Sequence, residues 1–465
     1  MGIRGKSSEG LIASATRRVS IGVAAIALAG LLLAPLPGLA AQARNIILLI
    51  GDGMGPSHIW AARLYSTREL GRELRMVELM NRGRTAFLVN DTADAIVTES
   101  AAAATQMACG IKAPARAVGM GPDGRTPCRS ILEIARERGM ATGLVTTSGI
   151  TDATPAAFSA HVEDRGDETA VASQQLRLGV DVLLGGGRRH FLPESAGGRR
   201  KDGRNLAEEA RGAGYALAET ATELAGFKAG KILGLFSMGN MAFEIDRART
   251  TEPSLSEMAS KALTALSQNP RGLFVMIEGG RIDHAAHGND IAATIRDVLA
   301  FDEAVGVALE FQRRIADTLI IVTADHETGG MALTGTSGTT SINFAAIRNA
   351  RGSLEVMLRE LGEKPTAAKI RDAVATQLAL AISNEEATVL AADAYRKDPT
   401  QTYIPTPRSL VSVLHRHLGV GWATQGHTAS PVFAFGSGPG SEDIVGFRHN
   451  TELFRIMSES LRFAK

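Results

Sequence analysis

Short apolar runs alternate with longer stretches of mixed polarity along this chain. Five runs rich in Ile, Val and Leu lie at 44–50, 140–147, 272–277, 318–324 and 431–436 (RNIILLI, MATGLVTT, GLFVMI, TLIIVTA and PVFAFG). Continuous apolar runs are typical of parallel strands that are buried on both faces, and the intervening stretches suit crossover helices. The pattern therefore predicts an α/β fold whose mostly parallel central sheet is flanked by helices on both faces.

Two helix starts and two insertions are also predicted. Ser-x-x-Glu sequences at 130–133 and 383–386 have the signature of a capping box at the start of a helix. The glycine-rich and basic stretch 185–204 and the long segment 331–420 between two strands are interpreted as insertions at the rim of the sheet. The second insertion is large enough to form a subdomain or an interface.

The first 43 residues differ from the rest of the chain. A basic start reaches Arg18, an uncharged run begins at Val19, and the segment ends in Ala-Gln-Ala at 41–43. This is the plan of a cleaved signal peptide, which leaves 44–465 as one folded domain and predicts a periplasmic or secreted protein. A retained membrane anchor is the alternative, because the run is long enough to span a bilayer, and the Sec and twin-arginine export routes both stay open.

The composition is globular and almost neutral. The chain has 465 residues, of which 21% are charged, and a formal net charge of +1. Removal of the signal peptide takes away four basic residues and one acidic residue, so the net charge becomes −2. Because there is no basic block, we expect no nucleic-acid partner, and we expect no stable membrane span after cleavage. The only cysteines, Cys109 and Cys128, could pair after export, or Cys109 could be a buried thiol.

Carboxylates directly follow three of the predicted strands. Asp52 comes after RNIILLI, Glu278 after GLFVMI, and Asp325 after TLIIVTA. A single carboxylate at such a place could be a turn residue or a helix cap. Three of them at the carboxyl ends of strands, where open α/β sheets bind ligands, predict a shared metal site.

Histidines lie close to these carboxylates in the sequence. If their segment is helical, Asp283 and His287 share one face and could bind one cation; a solvated surface pair is the alternative. His326 follows Asp325 directly, and His427 lies just before the last predicted strand. We interpret these three histidines as candidate metal ligands.

The stretch IVTESAAAATQM (96–107) places a hydroxyl group directly before a run of alanines. Serine is a favoured N-cap and alanine the best helix former, so Ser100 is predicted to cap this helix. A helix N-terminus also offers amide donors and partial positive charge, which attract phosphate. The two roles are compatible, and Ser100 is therefore also a candidate nucleophile.

Six motifs in a fixed order resemble those of one family. GDGMG, TESAAAAT, TDATPAA with HVEDR, EGGRIDHAAH, TADHETGG and GHT follow one another from Arg44 almost to the C-terminus. In these motifs the chain resembles the alkaline phosphatases, and SEDIVGFRHNTELFRIM resembles that family's closing strand and helix. The resemblance implies an alkaline-phosphatase-like catalytic domain that hydrolyses phosphate monoesters.

The resemblance also implies roles for individual residues. Ser100 would be the nucleophile that forms a phosphoserine, and Arg165 would bind the phosphate. Two zinc ions and one magnesium ion are the implied cofactors, in keeping with mixed imidazole and carboxylate sets for zinc and an all-oxygen set for magnesium. A homodimer is implied, with 331–420 as the candidate interface. The implied ligand sets are Asp283, His287 and His427 for the first zinc, Asp52, Asp325 and His326 for the second, and Asp52, Asp152, Thr154, Glu278 and waters for magnesium.

Two positions depart from the family's usual residues. Glu99 stands where the family often has Asp, and His284 stands where its members vary. A longer acidic side chain is expected to shift Arg165 and so to change phosphate affinity. A pairing of His284 with Asp152 is our hypothesis for the second position.

Two other functions are alternatives to a monoesterase. A phosphodiesterase or nucleotide pyrophosphatase of the same superfamily is the nearest one, but such relatives usually lack the third metal set that Thr154 and Glu278 would supply. A non-catalytic metal- or phosphate-binding protein is the alternative from another class. Such a protein would need the ligands but not Ser100.

Overall fold

The computed structural model describes residues 1–2, 42–228, 230–334, 342–393 and 406–462. The predicted signal peptide lies almost entirely outside the described residues. None of the helices in these ranges is both long enough and apolar enough to cross a bilayer.

A ten-stranded sheet forms the centre of the fold, with the order β14-β2-β13-β8-β1-β7-β3-β4-β6-β5. All neighbouring strands in it run parallel except β13, which is antiparallel to both β2 and β8. Two small two-stranded sheets pair β10 with β11 and β12 with β9. The strands are β1 (Asn45–Ile50), β2 (Arg84–Val89), β3 (Ala141–Gly149), β4 (Val182–Gly186), β5 (Tyr215–Ala218), β6 (Lys231–Leu235), β7 (Leu273–Glu278), β8 (Thr318–Thr323), β9 (Glu327–Thr328), β10 (Met331–Leu333), β11 (Val420–Trp422), β12 (His427–Thr428), β13 (Val432–Ser437) and β14 (Gly446–His449).

The α/β prediction and all five predicted strands are confirmed. The five apolar runs are β1, β3, β7, β8 and β13, and every residue of β1, β7 and β8 is buried because helices cover both faces of the sheet. The closing strand and helix are β14 and the last helix of the chain. Four strands of the sheet, β2, β4, β5 and β6, have no such signal, because they are short or are interrupted by glycine and polar residues.

The rim position predicted for 185–204 is wrong at its start. Gly185 and Gly186 belong to β4, inside the sheet, and only the residues after them leave it. A Cβ on Gly186 would lie 2.1 Å from the carbonyl oxygen of Gly239. These glycines therefore allow close backbone packing within a strand, although a glycine run usually indicates a loop.

Seventeen α-helices of the described residues surround the sheets. Both predicted capping boxes are present: Ser130 accepts from the Glu133 N–H at 3.2 Å, and Ser383 accepts from the Glu386 N–H at 3.1 Å. The helices are α1 (Pro56–Tyr65), α2 (Arg75–Arg82), α3 (Ser100–Cys109), α4 (Ile131–Glu137), α5 (Ala153–Ala157), α6 (Glu168–Leu178), α7 (Leu206–Gly212), α8 (Ala221–Gly226), α9 (Leu255–Leu266), α10 (Arg281–His287), α11 (Ile291–Arg314), α12 (Phe344–Asn349), α13 (Leu354–Leu361), α14 (Ala367–Gln377), α15 (Asn384–Ala392), α16 (Arg408–Leu418) and α17 (Glu452–Ser460).

The segment 331–420 leaves the sheet after β8 and returns before β13. Its two ends meet in the antiparallel pair of β10 and β11, and α12 to α16 lie between them. Residues 335–341 and 394–405 of this segment are outside the described part of the chain. Its role as an interface stays a prediction.

Cys109 and Cys128 form a disulfide bond. Their Cα atoms are 6.1 Å apart, which is within the usual range for such a bond. The bond ties the C-terminal end of α3 to the segment that leads into α4. Of the two alternatives for Cys109, pairing is the one observed.

Candidate active site

The strand order brings three acidic residues to one edge of the sheet. Strands β8, β1 and β7 are neighbours, with Ile50 paired to Glu278 on one side and to Thr323 on the other. Asp52 follows β1, Glu278 ends β7, and Asp325 follows β8. Their carboxylates lie at the carboxyl ends of adjacent strands, where the sequence predicts them.

These three carboxyl groups are buried close to one another. Burial raises the pKa of Glu278 to about 8 and that of Asp325 to about 7. Burial also raises the pKa of Asp52 well above its ordinary value, and the negative charges of Asp325 and Asp283 raise it further. Because a nearby cation would stabilise the ionised forms, the cluster has the electrostatic character of a metal site.

Two imidazoles and a carboxylate meet beside this cluster. Asp283 and His287 lie on α10 as predicted, with Oδ2 and Nε2 3.2 Å apart, and His427 Nε2 is 3.6 Å from Asp283 Oδ1. The Nδ1 atoms of His287 and His427 contact the carbonyl oxygens of Gln425 and Thr98, at 2.5 and 2.9 Å. If each Nδ1–H donates there, each Nε2 lone pair faces the carboxylate, which is the orientation of a metal ligand.

A second group of ligand atoms comprises Asp52, Asp283 and His326, which lie within 4.8 Å of one another. His326 Nε2 is 3.6 Å from Asp52 Oδ1 and 3.1 Å from Asp325 Oδ2. The prediction placed Asp325 in this set, whereas the geometry places Asp283 in both groups and Asp325 beside the second. The Gly53 and His326 N–H groups each donate to Asp325 Oδ1 at 2.9 Å, which fixes that carboxylate.

The hydrogen bonding of two buried carboxylate oxygens shows whether the site is suited to cations. Asp52 Oδ1 and Asp325 Oδ2 accept no hydrogen bond from any described residue. A buried polar atom without a partner costs about 1–3 kcal/mol, and more if it is charged. A divalent ion would remove this cost, and the mixed nitrogen and oxygen donors are those that zinc prefers. The residues present therefore fit the implied metals.

The oxygen donors predicted for magnesium lie at the same edge. Glu278 accepts from the Thr146 hydroxyl at 2.5 Å, and Thr154 is buried on α5. With Asp52 nearby, these groups form an all-oxygen set of the kind that suits magnesium. Glu278 and Asp152, the fourth predicted ligand, are both outside the two groups of clustered ligand atoms among the described residues, and their roles stay predictions.

The helix that contains most of TESAAAAT begins at Ser100, but Glu99 is its N-cap. The Glu99 carboxylate accepts from the N–H groups of Ala101 and Ala102 at 3.0 and 2.8 Å. The prediction that Ser100 caps the helix is therefore wrong, because a carboxylate one residue earlier reaches the same donors. The Ser100 hydroxyl instead lies 3.3 Å from His326 Nε2, at the edge of the metal-binding cluster.

Arg165, which lines the same cleft as Ser100, is held between two carboxylates. Its Nη1 donates to Glu99 Oε2 at 2.7 Å and its Nη2 to Asp152 Oδ1 at 2.8 Å. Burial alone would raise the pKa of Glu99 and Asp152, but the charge of Arg165 and nearby N–H donors lower both pKa values. The longer Glu99 side chain thus caps α3 and anchors the arginine at once.

His284 lies on α10 and is buried. Burial lowers its pKa to about 4, and the positive charge of Arg281 contributes in the same direction. An imidazole with this pKa is neutral at neutral and alkaline pH. Its pairing with Asp152 stays a hypothesis.

Several groups at the site carry no predicted role. Thr328 donates to Asp283 Oδ1 at 2.5 Å and contacts His326 Nδ1 at 3.2 Å, so it links the two ligand groups. It belongs to TADHETGG, and that motif could have indicated it. Glu168, Arg189 and Asn240 line the same cleft as Ser100, but their sequence context has no signal that singles them out.

Comparisons with known proteins agree with this architecture. The family model described as Alkaline phosphatase matches residues 43–463. Alkaline phosphatase 4 of Bacillus subtilis (strain 168) is 34% identical over 435 residues, which cover 91% of this chain and 90% of that protein. The repressible alkaline phosphatase of Saccharomyces cerevisiae is 33% identical over 466 residues, covering 90% and 81% of the two chains.

Solved structures give the same result. The crystal structure of the Thermus thermophilus alkaline phosphatase matches with a TM-score of 0.83 and 34% identity, over 92% of this chain and 93% of that one. The cold-active alkaline phosphatase from a psychrophilic Shewanella sp. matches with a TM-score of 0.76 and 29% identity, over 90% and 99% of the chains.

Proposed function

The chain belongs to the alkaline phosphatase family and is a phosphoric monoester hydrolase, and we propose that it acts through a phosphoserine formed on Ser100. One observation carries this proposal. The Ser100 hydroxyl lies at the N-terminus of α3, within 3.3 Å of His326 Nε2, and it lines the same cleft as Arg165. A nucleophile, an anion-binding helix end and candidate cation sites therefore meet at one point.

We assign two zinc ions and one magnesium ion to the clustered ligands. Asp283, His287 and His427 would hold the first zinc and Asp52, Asp325 and His326 the second, with Asp283 close to both. Asp52, Thr154 and Glu278 would hold magnesium, with Asp152 nearby. Bound there, the ions would supply the positive charge that stabilises phosphoryl oxygens and favours the ionised serine.

The reaction proceeds in two displacements at phosphorus. In the first, Ser100 Oγ forms a bond to phosphorus as the bond to the ester oxygen breaks, and the alcohol leaves with a proton from solvent. In the second, water attacks the phosphoserine, the Ser100 oxygen departs, and inorganic phosphate is released. Two in-line steps retain the configuration at phosphorus.

The chain's own groups position the phosphoryl group for both steps. The partial positive charge at the start of α3 attracts its oxygens. Arg165 presents a planar guanidinium whose orientation is fixed by Glu99 and Asp152. A monoester has more unsubstituted oxygens than a diester for such donors, which favours the monoesterase over the phosphodiesterase.

We also propose that the protein is exported and forms a homodimer. The disulfide between Cys109 and Cys128 supports a periplasmic or secreted location, since such bonds persist in oxidising compartments. The segment 331–420 is the candidate interface. Light scattering over a concentration series tests the dimer, and a monomer at every concentration would contradict it.

The central experiment measures hydrolysis of p-nitrophenyl phosphate at alkaline pH by the purified protein. Activity should disappear on chelation and return with zinc and magnesium, and Ser100→Ala should be inactive throughout. Mass spectrometry after an acid quench should find phosphate on the peptide that contains Ser100. Cleavage of bis-p-nitrophenyl phosphate alone would support the phosphodiesterase, and inactivity on both esters of the metal-restored protein would support a binding role.

A further inference from the structure

A second polar cleft adjoins the catalytic cleft. The catalytic cleft extends from Ser100 and Arg165 to Arg189 and Asn240. Arg189 and Asn240, together with Gly239, also line the second cleft. These three residues therefore form a wall that is common to both clefts. The alcohol part of an ester bound at Ser100 could extend along this wall into the second cleft.

Six arginines line the two clefts, and five of them are neutralised by carboxylates. Arg189 is the exception, since no carboxylate of the described residues lies within 4.0 Å of its guanidinium. An arginine that faces a cleft without a carboxylate partner can bind an anionic ligand without first breaking an ion pair. The five paired arginines are Arg116, Arg165, Arg249, Arg281 and Arg359.

Arg189 is nevertheless held in place. Its Nε donates to His190 Nε2 at 2.8 Å, and its backbone N–H donates to the Met238 carbonyl at 3.2 Å. Burial lowers the pKa of His190 to about 4, and the charge of Arg189 adds to this, so the imidazole is neutral and can accept. Gly239 lacks a side chain on the Nη1 side, where a Cβ would lie 3.6 Å from that nitrogen. These contacts fix the orientation of the guanidinium, which remains accessible from the two clefts.

We propose that Arg189 binds a second anionic group, a carboxylate or a phosphate, on the alcohol part of the substrate. It would be a specificity-determining residue that favours phosphate monoesters with a negatively charged leaving group. The planar guanidinium matches both anions in two-point contact. This inference rests on the proposed hydrolysis of monoesters at Ser100.

A series of synthetic esters tests the inference. ω-Carboxyalkyl phosphates of increasing chain length are compared with alkyl phosphates of the same length, and the measured quantity is the ratio of the two kcat/KM values. At the length that reaches Arg189, this ratio should be about 10 in the native enzyme, since a charge-assisted contact changes a rate constant by about that factor. Replacement of the carboxylate by a phosphate at that length should have the same effect.

The variants separate Arg189 from its neighbours. In Arg189→Met the ratio should fall to about 1, and in Arg189→Lys it should be intermediate, because the charge stays but the fork is lost. Arg188→Met is the matched control, since Arg188 is ion-paired with Glu219 and lines neither cleft; its ratio should equal that of the native enzyme.

Four results would count against the inference or its premise. A ratio of about 1 at every length in the native enzyme, or an unchanged ratio in Arg189→Met, would overturn the role of Arg189. If Arg189→Met does not fold, inhibition of the native enzyme by ω-carboxyalkyl phosphonates no stronger than by alkyl phosphonates would do the same. Failure to hydrolyse either ester would instead contradict the proposed function.

Discussion

Two groups of charged residues near Ser100, the acidic side and the arginine side, balance their buried charges in opposite ways. On the acidic side, defined by Asp52, Glu278 and Asp325, buried carboxyl groups face one another and their pKa values are raised. On the arginine side, defined by Glu99, Asp152 and Arg165, two carboxylates enclose a guanidinium, and their pKa values are lowered. The acidic side needs cations from outside the chain to balance its charge, whereas the arginine side contains its own positive charge in Arg165.

This difference determines what each side contributes. The arginine side is complete when the chain has folded, so it can orient a phosphate from the start. The acidic side stores repulsion that only bound cations or protons relieve. Changes that remove negative charge should therefore act in opposite directions on the two sides, and the following predictions test that contrast.

The largest effect is expected for Asp325→Asn on the acidic side. The substitution removes a buried charge beside His326, so the second zinc should be lost and kcat/KM should fall by about 10³-fold, because a metal supplies several kcal/mol of charge stabilisation. The chelated variant should nevertheless be harder to unfold than the chelated native protein, since repulsion within the acidic side is reduced. Bound zinc, kcat/KM and urea unfolding measure the three effects.

The control for this prediction is Asp317→Asn, which alters a carboxylate at the opposite end of β8 that contacts Arg44 and Asn45. It should keep both zinc and activity. A chelated Asp325→Asn protein that is less stable than the chelated native protein would show that the acidic side is not under electrostatic repulsion.

The next effect is expected for Arg165→Met on the arginine side. The variant should retain zinc, because the Arg165 guanidinium donates to Glu99 and Asp152 and to none of the described zinc ligands, but kcat/KM for monoesters should fall by about 10²-fold as phosphate loses its guanidinium. Its folding stability should also fall, because two carboxylates lose their partner. Metal content with steady-state kinetics checks the first point and urea unfolding the second.

Arg116→Met is the matched control, since Arg116 lines the same cleft but is paired with the exposed Asp164. It should change kcat/KM by less than about 5-fold, since exposed ion pairs contribute about 0–1 kcal/mol. Loss of zinc from Arg165→Met would contradict the independence of the two sides.

The two sides also differ in how far the sequence predicts them. The acidic side was predictable because Asp52, Glu278 and Asp325 each follow a continuous apolar run, and such runs become adjacent parallel strands. That Asp283 on α10 lies close to both ligand groups was not predictable, because this proximity arises only in the folded chain.

The arginine side depends more on side-chain reach. A motif contains both Glu99 and Ser100, but its sequence does not show which of the two caps α3, and in the folded chain the Glu99 carboxylate does. Arg189 lies in a glycine-rich stretch whose composition is typical of a loop, although β4 ends within that stretch. The position of short strands such as β4 and β6 is set by pairing with neighbouring strands, because their own hydrophobic pattern is weak.

The metal-free protein should show the pH dependence of the acidic side. Glu278 and Asp325 have folded-state pKa values of about 8 and about 7, above their ordinary values of 4.5 and 3.8. Between these limits the folded state binds more protons than the unfolded state, so the free energy of unfolding should fall as pH rises from about 4 to about 8. The slope is up to about 1.4 kcal/mol per pH unit for each carboxyl.

Urea unfolding across this pH range, with and without zinc and magnesium, checks the prediction. The metal-loaded protein should not lose stability in this window, because cations replace the protons. Stability that changes with pH in parallel for both forms would show that the raised pKa values of the acidic side do not control unfolding.

The smallest effect is expected for Glu99→Gln on the arginine side. The neutral side chain can still accept hydrogen bonds from the start of α3, so the weaker cap should cost about 1 kcal/mol of folding stability. The positive charge of Arg165 is then neutralised by one carboxylate fewer, and inorganic phosphate should inhibit about 5-fold more strongly, since about 1 kcal/mol of binding corresponds to that factor. Asp164→Asn, on the exposed rim, should leave phosphate inhibition unchanged. Weaker inhibition in Glu99→Gln would mean that Glu99 matters for the orientation of Arg165 more than for its charge, and the arginine side would then act through geometry rather than neutralisation.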